Sequence, residues 1–356
     1  MDTFTHVLLG ASVAQIPSHH DKNLELSFKT RACIGGLAGI IADIDYLLFF
    51  LNPLDFLAYW HRAETHSLIL APVWSILLTQ LLCLWRLWKP YKRLLFFIIF
   101  YAMLSHSFID SFTPYGTQWF APLSDYRVSW NLLFVIDGYF LFTVTVCFFW
   151  LYKRSYSGQI LLPFILPTLY LSLVALIKFS VEQTFSLRNS NQEHQFISYS
   201  LPQPLSPFYW QLVIQQGSTL QYAYVRLYPD PIGEQLSQYL NKPDYASHFQ
   251  DKIPVQWRRA VLIPDAPALA NQVKTVWESH KFKGFRDFAW LPVFLAHQQN
   301  EQETCIWFSD LRYHWPTFPP SFRYGMCQSE DSDWQVFRVP YFTDFHNEKQ
   351  IRRLVE

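Results

Sequence analysis

Nine ionisable side chains in the first half of the chain sit in or beside long apolar runs: His6, Asp43, Asp45, His61, Arg62, His66, His106, Asp110 and Asp137. Ionisable groups are costly at membrane depth, so each is a functional candidate. The set is imidazole and carboxylate without thiolate. That chemistry suits zinc, manganese or non-haem iron and excludes a cysteine-rich structural zinc site. His106 and Asp110 are four residues apart, which places both on one helix face a turn apart. Asp43 and Asp45 are two apart in sequence. On a regular helix that spacing is roughly 200° of rotation. Both carboxylates reach one cation only if the helix breaks there or one of them supports the other ligands. The expected ligands are therefore His6, Asp43, Asp45, His61, His66, His106 and Asp110, around one or two divalent ions, with zinc first among them. A zinc site that does chemistry keeps a position open for water, and a two-ion site suits phosphoester hydrolysis. Asp45 is the expected general base. Arg62 and Arg127 are the cations that would meet a phosphate or an oxyanion. Thr65, Ser67, Gln118 and Asp137 are expected to orient the ligands.

The elements that must carry these residues are apolar. They are residues 33–51, 67–85, 94–112, 130–151 and 160–177. Each approaches the length that spans a bilayer as a helix, roughly 20 residues. Residues 4–16 are too short for a standard span. Without a basic leader or a small-residue cleavage site they do not read as a signal peptide. The expectation is a helical membrane domain of five or six helices, the first short. Lys22, Lys29, Arg31, Arg86, Lys89, Lys92, Arg93, Lys153 and Arg154 fall in alternate loops, whereas the intervening loops hold Arg62 and Arg127 alone. By the positive-inside rule the first set faces the cytoplasm. All nine candidates then gather at the outer face, which in a bacterium is the periplasmic side of the inner membrane, and the remainder of the chain lies outside.

Four stretches of this region resemble the YdjM-like predicted membrane-bound metal-dependent hydrolases. They are Met1-Asp2-x-x-Thr5-His6, Asp43-Ile44-Asp45, His61-Arg62-x-x-Thr65-His66-Ser67, and Ser105-His106-x-x-x-Asp110-x-x-Thr113-Pro114-Tyr115-Gly116-Thr117-Gln118. The resemblance covers roughly residues 1–150. Ala63 stands where Gly is expected and Ala42 where Pro is expected, and neither position is a ligand. The resemblance implies a membrane-bound, metal-dependent hydrolase. The depth of the ligands points to an amphipathic substrate, a phospholipid or another lipid-linked ester or phosphoester. Two other classes use the same residues differently: a non-catalytic membrane scaffold with a structural metal, and a transporter whose His and Asp line an ion path. A path would distribute them across the bilayer rather than at one face.

The second half is more polar. Residues 1–179 hold 22 charged side chains and residues 180–356 hold 34, so the mean hydropathy of +0.05 averages two unlike halves. Lys plus Arg and Asp plus Glu are 28 each, which leaves no basic excess for nucleic acid. Aromatic residues make up 19% of the chain. Such a composition excludes a disordered chain. Residues 181–207 read as a linker and 208–356 as a small extramembrane α+β domain with an antiparallel sheet. A hairpin is expected around Gly217-Ser218, a helix over 266–280 capped by Asp265, and strands over 287–296, 303–313 and 334–342. Cys305 and Cys327 are candidates for a disulfide outside the cytoplasm, while Cys33, Cys83 and Cys147 lie in apolar runs and are expected to be inert.

Overall fold

A computed structural model describes residues 1–17, 25–153, 160–187, 198–251, 254–300, 303–329, 332–340 and 352–353. Lys22 and Arg154, two of the loop cations, lie outside the described residues. Two compact units emerge: Met1–Tyr46 with His61–Lys178, and Leu47–Trp60 with Phe179–Glu356.

The first unit is helical. It holds α1 (Thr3–Val13), α2 (Phe28–Ala38), a 3-10 helix entered at Ile41, α4 (Ala71–Leu82), α5 (Lys92–Asp110), α6 (Gly138–Lys153) and the start of α7 (Ile165–Leu187). Asp2 caps α1, accepting from the Thr5 N–H at 3.0 Å and from its hydroxyl at 2.6 Å. Helices α1 and α2 cross at glycines, which allow close approach. A Cβ added to Gly10 or Gly35 would lie 2.4 Å from the other's carbonyl oxygen, so the two backbones touch. Along α5 the buried residues Leu94, Ile98, Ala102 and Met103 form one stripe at helical spacing, packed with Val13, Ala14 and Ala38. His106 and Asp110 continue that stripe, so the packing that seats α5 also aims them inward. The opposite faces are apolar and exposed, as at Leu77, Leu81, Phe142, Phe149, Leu169 and Leu176. Such surface is stable against lipid rather than water.

Among the described residues three helices are long and apolar enough to cross a membrane: Phe28–Phe50, Arg86–Asp110 and Leu162–Phe185. A fourth is present if Pro53–His66 and Ala71–Leu82, bent by 70°, form one broken span, and Thr3–Val13 and Gly138–Lys153 are shorter. Two expected runs are thus trimmed. Residues 130–133 do not begin a helix, because the Trp130 N–H donates to Ser111 O (2.8 Å) and the Leu132 and Leu133 N–H groups to Phe112 O, tying the segment to the end of α5. Helix α6 begins only after Asp137, whose Oδ1 accepts from Phe140 N–H at 2.8 Å. At the other trimmed run, Ser67 Oγ accepts from the Ile69 and Leu70 N–H groups and Pro72 fills the first turn of α4, a position that has no helical partner for its missing N–H to lose.

The second unit contains two antiparallel sheets where the sequence predicted one. The first has the order β1 (Tyr199–Pro202), β2 (Tyr209–Gln216), β3 (Thr219–Arg226), β4 (Arg258–Val261). The second runs β5 (Pro292–Gln299), β6 (Glu303–Asp310), β7 (Arg323–Ser329), β8 (Gln335–Val339), β9 (Arg352–Arg353). Leu201, Val213 and Leu220 from one sheet and Leu291, Val293 and Leu311 beside the other share a core. The hairpin at Gly217 is present, with Gly217 at φ +60°. Two local expectations are corrected. Residues 283–288 form α10, so the strand read over 287–296 starts at Pro292. Asp265 does not cap α9 (Pro267–Glu278); it pairs with Arg259 at 2.7 Å instead, and Pro267 opens the helix. Helix α8 (Pro231–Tyr239) completes the unit. Helix α7 runs on to Leu187 and β1 lies within 199–202, both inside the stretch expected to be linker. Cys305 faces Cys327 across β6 and β7, and the two are joined by a disulfide.

The segment Leu47–Trp60 groups with this unit although its neighbours on both sides belong to the first. It contains the short α3 (Pro53–Asp55) and a π-helical turn, Phe56–Trp60. Leu54 packs so closely under α10 that a Cβ on Gly284 would lie 2.8 Å from its own, and the Lys283 ammonium donates to the Tyr59 hydroxyl at 2.6 Å.

The glycine crossing gives a first test. Gly35→Val places branched carbons where Gly10 O already sits, and overpacking of this kind costs about 1–3 kcal/mol. The variant is expected to unfold at a lower temperature than wild type in detergent, as read by intrinsic fluorescence; an unchanged midpoint would show that the two helices are not in contact.

A candidate metal centre at the ends of broken helices

Asp43 and Asp45 are delivered by a change of helix type. Helix α2 ends at Ala38, and the chain continues as a 3-10 helix over Ile41–Phe50. With three residues per turn, positions two apart lie about 120° apart the short way round. Both carboxylates therefore face the same region, which a regular helix would not allow. His61, Arg62 and His66 come from an irregular stretch: the π-helical turn ends at Trp60, Arg62 adopts φ +57°, and a single 3-10 turn carries Glu64–His66. A left-handed arginine is strained and is held by its surroundings. Its N–H donates to Asp45 Oδ2 (3.0 Å) and its carbonyl accepts from Gln118 N–H (2.9 Å).

These elements bring four ligand atoms together from Asp43, His66, His106 and Asp110, all within 4.8 Å of one another. His66 Nε2 and His106 Nε2 are 3.0 Å apart. Asp43 Oδ1 lies 3.4 Å from His66 Nε2 and 3.6 Å from His106 Nε2. Asp110 Oδ2 lies 3.5 and 3.4 Å from the same nitrogens. A tetrahedral shell with ligands at about 2.0 Å has edges of about 3.3 Å, so the spacing fits one small divalent cation. The protonation pattern fits as well. His106 Nδ1 faces Gly39 O, an acceptor, at 2.5 Å. In the neutral ring Nδ1 therefore carries the proton and Nε2 presents its lone pair. His66 Nδ1 lies 2.9 Å from Thr65 Oγ1, whose hydroxyl reaches Asp45 Oδ2 at 3.3 Å. Asp110 Oδ2 is buried and lies 3.1 Å from Arg62 Nε, with no hydrogen bond of good geometry among the described residues. Lone pairs and carboxylate oxygens that converge without a proton between them are stable around a cation and repel one another otherwise.

A second group of three, Asp43, Asp45 and His61, also lies within 4.8 Å and shares Asp43 with the first. His61 Nδ1 is 3.2 Å from both Asp45 oxygens. His61, His66, His106, Asp45 and Asp110 are buried, whereas the Asp43 side chain keeps 24% of its surface exposed. Asp43 is thus the ligand candidate that opens on the surroundings.

His6 is adjacent but distinct: it stacks on His106 (centroids 3.7 Å apart) and its Nε2 lies 3.2 Å from Asp110 Oδ1, the oxygen turned away from the other imidazoles. It therefore steadies two ligands rather than joining their group. Arg62 is buried, with Nε 3.1 Å from Asp110 Oδ2 and Nη1 donating to Thr113 Oγ1 at 2.7 Å and to Asp110 O at 3.2 Å. Arg127 donates to His61 O at 3.0 Å, and the guanidinium groups of Arg62 and Arg127 both lie over the Tyr115 ring. Both arginines thus hold the cluster. Thr65 Oγ1 hydrogen-bonds both Asp45 and His66. Ser67 does not touch the ligands: its hydroxyl donates to Ala121 O (2.6 Å) and anchors the loop after α5. Asp137 likewise sits elsewhere, capping α6 and accepting from Tyr170 Oη at 3.0 Å. Groups missed by sequence reasoning are the Met1 amine, which pairs with Asp110, the Gly39 carbonyl, Thr113 and Tyr115. Tyr115 and Thr113 stood inside the fourth motif, but a backbone carbonyl carries no side-chain signal.

The fold and the cluster define a helical membrane protein with a buried His/Asp cluster that could hold a metal ion. The chain belongs to the YdjM inner membrane protein family, whose match covers residues 1–181. It is also similar to YfhP of Bacillus subtilis (strain 168), an uncharacterized protein, at 30% identity over 141 residues, which is 39% of this chain and 42% of that relative. The chain thus spans less than half of that relative's length. No solved structure matches.

Removing one of the converging groups tests the centre. Protein purified in detergent and loaded with zinc or manganese should retain metal, and His106→Ala with Asp110→Ala should retain none. Thr65→Val should weaken metal retention by about ten- to a hundred-fold, the usual effect of losing a supporting hydrogen bond. Equal metal content in wild type and double variant, by elemental mass spectrometry, would remove the site.

Proposed function

We propose that this protein is a membrane-embedded, metal-dependent hydrolase that acts at the outer, periplasmic face of the inner membrane on a phospholipid or another lipid-linked ester or phosphoester. The observation that carries this reading is the convergence of two imidazole nitrogens and two carboxylate oxygens, from His66, His106, Asp43 and Asp110, within 4.8 Å of one another, with Asp43 the partly exposed member. A divalent cation bound there supplies Lewis acidity to a phosphoryl or carbonyl oxygen. The chain's own residues do the rest. Asp45 holds His61 and Thr65, and Thr65 holds His66. Arg62 pairs with Asp110 Oδ2 and His6 with its Oδ1, and the Gly39 carbonyl sets the tautomer of His106. Asp43, the partly exposed member of the group, is placed to accept a proton from water.

The lipid substrate is supported by what flanks that carboxylate. Ile44 and Tyr46 are 56% and 53% exposed beside Asp43. An amphipathic molecule can keep its chains in such apolar surroundings while its polar head meets the carboxylate. The outer location is supported by the loop cations and by the Cys305–Cys327 disulfide, which suits an oxidising compartment. A second reading has its own observation. Asp43, His66, His106 and Asp110 together would complete a four-coordinate shell, as a structural metal requires.

Turnover separates the two. Metal-loaded protein in nanodiscs should release phosphate, fatty acid or a head group from one of a panel of phospholipids, followed by mass spectrometry, and Asp43→Asn should lose at least about a hundred-fold of that rate. Full metal occupancy with no turnover on the panel would favour the structural reading. For the location, Cys305 and Cys327 should resist maleimide in protein denatured without reductant and react after reduction; free thiols at both positions in protein from freshly lysed cells would count against an exported domain.

A further inference from the structure

At the end of α5 remote from the His/Asp cluster lies a groove of about 590 Å³ between α4 and α5. It is lined by Ile76 and Thr79 of α4, by Phe96 and Phe97 of α5, and by Pro90, Lys92 and Arg93. Lys92 stands 18 residues before Asp110 on one helix. That is about 27 Å along its axis, which is close to the thickness of a bilayer's hydrocarbon core. The groove therefore opens at the opposite membrane boundary from the candidate metal centre.

Three features of the groove differ in kind and agree. Ile76 is exposed and Phe96 and Phe97 are half-buried, giving an apolar trough beside lipid. Lys92 and Arg93 are cations in its lining, in a loop, residues 86–93, that carries Arg86 and Lys89 as well and no carboxylate. Thr79 is only 2% exposed, and its Oγ1 has no hydrogen-bond partner among the described residues. A buried hydroxyl without a partner is costly in an apolar helix pair, and Thr79 is one of the residues that line this groove. The apolar trough, the unpartnered hydroxyl and the two cations are complementary to acyl chain, ester or glycerol oxygen and phosphate.

We propose that this groove binds one anionic phospholipid: its phosphate between Lys92 and Arg93, an ester or glycerol oxygen on Thr79, and an acyl chain along Ile76, Phe96 and Phe97. Two cations with no carboxylate in the same loop favour a head group of net negative charge over a zwitterionic one. The site is independent of the hydrolase reading and of the orientation of the chain.

The test is native mass spectrometry of the full chain purified in detergent and titrated with phosphatidylglycerol or phosphatidylcholine. Wild type should retain one phosphatidylglycerol at concentrations where phosphatidylcholine is lost. Lys92→Gln with Arg93→Gln should weaken that adduct by about twenty-fold or more, taking each basic contact at the membrane surface as roughly five-fold. Thr79→Val, which keeps the shape and removes the hydroxyl, should weaken it several-fold while leaving the elution volume and metal content of wild type. Soluble glycerol 3-phosphate should not displace it. Equal retention of the two lipids, an adduct unchanged in the double variant, or full displacement by glycerol 3-phosphate would each overturn the proposal; the lipid comparison on wild type holds even if a variant fails to fold.

Discussion

Asp110 is the constraint around which the helical unit is arranged. A fully buried carboxylate in an apolar bundle is tolerable only when opposite charge and donors surround it. Here the Met1 amine and His6 meet one oxygen, Arg62 meets the other, and His66 and His106 approach that second oxygen from the remaining side. Those partners come from the chain start, from α1, from the irregular stretch after the π-helical turn, and from α5 itself. Docking each of those elements is therefore coupled to satisfying one side chain. The same requirement explains why the glycine crossing of α1 and α2 matters chemically. It brings His6 onto His106 and sets the Gly39 carbonyl against the ring of His106.

Irregular backbone supplies what regular helices could not. A continuous α-helix through residues 41–50 would turn Asp43 and Asp45 apart, and one through residues 56–70 would leave the Arg62 N–H bonded within its own helix instead of to Asp45. Broken backbone at membrane depth is tolerable where it is buried in protein and its polar groups find partners. Arg62 shows how: its N–H, its carbonyl and its guanidinium are each engaged.

The clustering of these residues was legible in the sequence because polar side chains inside apolar runs have few reasons to be there. His66, His106, Asp43 and Asp110 could be named from residue type and the Lys/Arg loops alone. The division of labour among the others could not. Whether His6 binds or steadies depends on a helix crossing that glycines permit but do not announce, and the role of Ser67 depends on a loop, residues 113–129, folded back on itself. In the second half, the hairpin of β2 and β3 was readable from two aromatic and β-branched runs around Gly217-Ser218, whereas β7 was not. Arg323-Tyr324-Gly325-Met326-Cys327 is buried at every position, so it shows no period of two. The short β4, Arg258–Val261, is held by pairing with β3 rather than by its own pattern.

The excursion Leu47–Trp60 has a consequence for synthesis. Asp45 and His61, hydrogen-bonded to each other, stand at the two feet of a loop whose packing partners, Gly284, Lys283 and Asp287, lie more than two hundred residues later in the chain. The ribosome therefore finishes the membrane helices long before the cover for Leu54 and Tyr59 exists. The packing that covers Leu54 and Tyr59 thus becomes available only once the last third of the polypeptide has been made.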